Sequence, residues 1–130
     1  MQRQLETPKP APQKVLIPGD IEAIGASFRR SLMAENKSAR TIKTYSEALR
    51  LFTEHLRRNG MPTAVASITR EHIETFITDQ LGRHKPSTAC VRHRSLQAFW
   101  KCCVEEGEVR ESPMAKMMPP KVPEEPVPVI

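Results

Sequence analysis

Ser38 and Thr41, three residues apart, stand at the head of an amphipathic run and are interleaved with Lys37, Arg40, Lys43 and Thr44. A second set, Lys85, Ser87, Thr88, Arg94 and Lys101, falls in or beside a stretch from Gln80 to Val104 that holds no Asp or Glu. Hydroxyls and cations gathered at two helix starts suit the binding of anionic oxygens. Unpaired backbone N–H groups and the positive end of the helix dipole face the same way as the side chains. From Lys37 to Lys101 there are twelve Lys or Arg against five Asp or Glu, whereas the rest of the chain carries eight against ten. The net charge of +5 therefore belongs to the middle of the chain, and a polyanion such as nucleic acid is its natural partner.

The elements that must position these residues are all helical. Asp20 is placed to cap a first helix that buries Ile21, Ile24, Phe28 and Leu32 and runs to about Glu35. Ser38 is the expected N-cap of a second helix, with Ile42, Tyr45, Leu49, Phe52 and Leu56 on one face and a stop at Asn59-Gly60, before Pro62. Glu47, Arg50, Glu54 and Arg58 lie on its outer face at spacings of three and four, so much of the charge in its C-terminal half is paired within the helix. Thr69 opens a third helix that buries Ile73, Phe76, Ile77 and Leu81 and ends at Gly82. Lys85-Pro86-Ser87 opens a fourth, with Ala89, His93, Leu96, Trp100 and Cys103 inward and a stop at Gly107. Ser112-Pro113 starts one further turn. Leu51 and Val91 point away from their helices' main stripes, either to pack between helices two and four or to meet another protomer. No segment alternates with period two, so the fold class is all-α.

Proline density sets the limits of the domain. Pro8, Pro10 and Pro12 make residues 1–17 an extended, flexible arm, and five prolines between 119 and 128 make residues 119–130 a connector. Residues 18–118 form the single expected domain, enough for a four-helix core. Cys90, Cys102 and Cys103 match no zinc or redox spacing, and no secretory or membrane-spanning run is present, which points to a reduced, cytoplasmic protein without metal. Glu71, His72 and Glu74 share a helix but form no His-Glu-x-x-His motif, and no Gly-rich phosphate loop occurs. Tyr45, the only tyrosine, lies on an apolar stripe and is expected to be core rather than nucleophile. The expectation is a chain that is not itself an enzyme and takes no cofactor, no small-molecule ligand and no membrane.

The order Ser38-x-x-Thr41-Ile42-x-x-Tyr45-x-x-x-Leu49-x-x-Phe52 resembles the opening of the core-binding domain of tyrosine recombinases, the phage-integrase family. Ser87-Thr88-Ala89, Leu96, Phe99-Trp100, Gly107 and Ser112-Pro113 fit the end of that domain, and Pro119-Pro120-Lys121 with Pro126-Val127-Pro128 looks like its connector. The resemblance implies a four-helix SAM-like core-binding domain of two crossed helical hairpins. It implies double-stranded DNA as partner, a clamp on the core recombination site, and self-association of the full-length recombinase on DNA. The positions that match its DNA-facing residues are Lys37, Ser38, Arg40, Thr41, Lys43, Thr44, Lys85, Ser87, Thr88, Cys90, Arg94 and Lys101. The family places its catalytic arginines, histidines and tyrosine in the domain after the connector. Three departures stand out: Cys90 is a poor polar reader, Ser112-Pro113 replaces a common Asn-Pro that Ser imitates as an N-cap, and His93 replaces a common aliphatic residue, which predicts a histidine partly buried or reached by solvent. The rival class is a basic helical module, an interaction or accessory protein that docks an acidic partner.

Overall fold

The computed structural model describes residues 17–123; the expected arm up to residue 16 and the connector beyond residue 123 lie outside the described residues. Four helices follow one another: α1 (Ile21–Ala34), α2 (Ala39–Arg58), α3 (Arg70–Arg83) and α4 (Pro86–Glu105), with one 3-10 turn at Val65–Ser67. No strand occurs among the described residues. The helices pair as hairpins, α1 with α2 and α3 with α4, and α4 packs against all three others.

Local chemistry fixes the ends. The Asp20 carboxylate accepts the Glu22 N–H at 3.1 Å to cap α1, and its other oxygen accepts the Thr63 hydroxyl at 2.7 Å. The backbone adds Ile21 N–H to Thr63 C=O and Val65 N–H to Gly19 C=O, so the α2–α3 loop is latched onto the start of α1. Ser38 caps α2 as expected, its Oγ accepting the Thr41 N–H at 3.1 Å. Gly60 and Gly107 follow α2 and α4 with positive φ, the conformation that lets the next N–H turn back onto the helix carbonyls. Asn36 takes the same left-handed conformation after α1. Ser112 accepts the Met114 N–H at 3.1 Å, the further turn forms, and Met114 closes over the core.

The core is built from the expected stripes: Ile24, Phe28 and Leu32 of α1, Leu49, Phe52 and Leu56 of α2, Ile73, Phe76 and Ile77 of α3, and Leu96, Trp100 and Cys103 of α4. Phe99 joins them, and edge-on aromatic pairs cross two helix interfaces, with ring centroids 5.6 Å apart for Phe28–Phe99 and 5.3 Å for Phe52–Phe76. Gly25 lets α1 close on α2, since a Cβ there would lie 2.8 Å from Leu49 Cδ2.

Three expectations need correction. Gly82 does not end α3; the helix continues through Arg83. Leu81 is 41% exposed, and Gln80 takes the buried position instead at 4%. His93 is wholly buried, not partly, at 1% exposure. Gly82 has no positive φ and so supplies no C-terminal turn, and Gln80 rather than Leu81 faces α4, where Arg92 donates to it.

Candidate nucleic-acid interface

The N-terminal halves of α2 and α4 lie side by side and leave a cleft with two lobes. One, of about 230 Å³, is bounded by Arg40, Thr41, Thr44 and Tyr45 of α2 and by Val91, Arg94 and Ser95 of α4. The other, of about 410 Å³, is bounded by Arg40, Lys43, Thr44 and Glu47 with Thr88, Val91 and Arg92. Arg40, Thr44 and Val91 border both lobes. Val91, 41% exposed, is the apolar floor between cations, which answers why it points away from the main stripe of α4.

Of the residues singled out in the sequence, Arg40, Thr41, Lys43, Thr44, Thr88 and Arg94 meet in this cleft. Lys37 and Ser38 sit just ahead of it, exposed at the start of α2, and the Ser38 hydroxyl donates to Thr41 Oγ1 at 2.9 Å. Lys85 and Ser87 are exposed at the start of α4, where no side chain caps the helix and Pro86 occupies the first turn. Cys90 is half-buried one turn before Arg94, with its Sγ 4.0 Å from Arg94 Nη2. Lys101 stands apart, in a different recess with Gln97, Val104 and Arg110.

The cations of the cleft stand without ion pairs, whereas those in the middle of α2 are paired. Arg50 holds Glu47 and Glu54, each at 2.7 Å, and Arg57 reaches across to Glu22 of α1. Arg57, rather than Arg58, thus makes the next link in the chain of pairs. Among the described residues, Arg40, Lys43, Arg92 and Arg94 make no ion pair within 4 Å. Glu47 is the one carboxylate on the rim of either lobe. Hydrogen bonds from Arg50, with the charges of Arg50, Arg92 and Lys43, hold its carboxyl below the usual carboxylate range, so it stays ionised there.

Arg92 and Ser95 line the cleft without having been singled out in the sequence. Arg92 follows Thr88 by one helical turn, and that spacing within the acid-free stretch is the signal that could have found it. Tyr45 has two roles: its ring stacks on Phe28 at 6.1 Å, and it also borders the smaller lobe.

The cations and hydroxyls of the cleft suit anionic oxygens. Burial and the Glu106 carboxylate push the Cys102 thiol up to about 11, and burial pushes Cys103 up to about 12, so neither is a thiolate at neutral pH. No group of three or more His, Cys, Asp or Glu among the described residues is placed to hold a metal ion. No helix among them is long and apolar enough to cross a membrane.

A family profile described as phage integrase, N-terminal SAM-like domain, matches residues 25–107. The chain belongs to this family. The match runs from the second turn of α1 to the glycine just past α4, so the SAM-like domain accounts for both hairpins and for the whole cleft between them. No curated protein and no solved structure matches the chain significantly.

Proposed function

We propose that this SAM-like domain is the DNA-binding part of a site-specific tyrosine recombinase, and that it lays the α2–α4 cleft against the core recombination site. The observation that carries the reading is a cleft whose cations make no ion pair among the described residues, although Arg50 and Arg57 further along α2 do. Arg40, Lys43 and Arg94 supply charge, and Thr41, Thr44 and Thr88 supply hydroxyls to phosphate oxygens. Residues 119–130 then serve as the connector toward a catalytic domain that closes on the opposite face of the duplex. Such a linked second site acts at high effective concentration, so the SAM-like domain alone is a modest binder.

Neutralising roughly five phosphates gives a log–log salt slope of about −4 to −5. Reversing Arg40 and Lys43 together, Arg40→Glu with Lys43→Glu, is expected to weaken duplex binding and flatten that slope by about two. Unchanged binding of the double variant would remove the cleft from the interface. Equal binding of an acidic polypeptide matched in charge would favour the protein-docking alternative.

A further inference from the structure

Arg92 differs from the other cations of the cleft. Its Nη1 donates to Oε1 of Gln80, a side chain only 4% exposed in a row where α3 otherwise buries Ile73, Phe76 and Ile77. A buried amide needs a partner, and Gln80 has little else: its Nε2 reaches Asp79 Oδ2 only at 3.5 Å. The polar side chain in the α3 core row is thus spoken for by one arginine of α4. Arg92 itself is half-buried, and the rest of its guanidinium makes no further hydrogen bond among the described residues.

The geometry points to Arg92 as the base-reading residue of the cleft, a guanidinium fork fixed by Gln80 that takes the O6 and N7 edge of a guanine in the major groove. The inference rests on the reading of the cleft as a DNA surface. Arg40, Lys43 and Arg94 are exposed, long and unanchored by any ion pair, which suits phosphates that need charge at no fixed angle. A fork fixed before the ligand arrives loses little further freedom on binding, and its planar donors tell a guanine edge from other bases. Gln80 is a positioning residue: it acts through Arg92.

The test selects bound duplexes from a randomised pool with the full chain, at about 50 mM salt, where phosphate contacts are strong. Wild-type protein is expected to enrich a guanine at one position, and replacing that pair is expected to weaken binding about tenfold. Putting 7-deazaguanine there removes N7 without altering the protein, and is expected to give most of the same loss. Arg92→Lys keeps the charge but not the fork; its preference at that position should fall to within about twofold while binding to unselected duplex is retained. Gln80→Leu should weaken the preference with Arg92 present, and Arg40→Glu should weaken all duplexes alike. Two results would overturn the assignment and leave the DNA reading intact: a guanine preference that survives both Arg92→Lys and 7-deazaguanine, or duplex binding by wild type with no base enriched. Absence of any duplex binding would instead overturn the underlying reading.

Discussion

His93 carries both ring nitrogens into the core, and neither has a hydrogen-bond partner among the described residues; Trp100 Nε1, on the same helix face, is in the same position. An unpaired buried polar group costs about 1–3 kcal/mol, so His93→Leu is expected to stabilise the domain by about 1 kcal/mol or more. Burial holds His93 below its ordinary value of 6.5, and burial does the same to His55. His55 is better provided for: its Nε2 meets Thr75 Oγ1 at 3.2 Å and its Nδ1 meets Asn59 Nδ2 at 3.3 Å, contacts that suit the neutral ring. With folded values below unfolded ones, the unfolded chain binds more protons as pH falls through about 6.5. Stability contributed by the two neutral rings is therefore full above that pH and is lost on acidification. Urea midpoints at pH 7.5 and 5.5 check this: the wild type should lose stability between them, and His93→Leu should lose less, with the residual loss due to His55. An equal acid loss in the variant would remove His93 from the account.

Among the helices, α3 is where sequence punctuation and structure part. Its glycine was expected to be the stop, yet Gly82 lies inside the helix, its φ is not positive, and a Cβ there meets nothing within 4 Å. Gly82→Ala is accordingly expected to stabilise the domain by about 0.5–1 kcal/mol, since alanine restricts the unfolded chain and favours the helix. Thermal unfolding decides the matter, because an alanine at a left-handed helix end would lower the midpoint instead. The starts and stops of the other helices were legible because each rests on chemistry within a few residues: Asp20 and Ser38 bond N–H groups two and three residues on, and Gly60 and Gly107 turn the chain within one step. Gln80 was not legible, because whether residue 80 or 81 faces inward depends on the roll of α3 against α4.

At the scale of the molecule, α4 touches every other helix and buries Leu96, Phe99 and Trp100 at their meeting point. The two hairpins therefore share one core and are expected to unfold together. Trp100 is the only tryptophan and is fully buried, so its fluorescence reports that core while far-UV circular dichroism reports all four helices. Leu96→Ala is expected to cost about 2–5 kcal/mol, with the two signals still coinciding along the denaturation curve. Separated transitions would mean that the hairpins are independent units.

The sequence by itself determined four helices, their caps, the apolar stripes that form the core, and a basic middle with cations gathered ahead of α2 and α4. All of these follow from local rules: helical periodicity, side chains that bond nearby N–H groups, glycine and proline at ends, and the count of charges. Only the tertiary structure decided which cations share a cleft, leaving Lys101 outside it and bringing Arg92 in. It also decided that Gln80 holds Arg92, that Thr63 latches onto Asp20, and that His93 is fully enclosed. These depend on how far each helix rolls against neighbours distant in sequence, and no spacing along one helix encodes that angle.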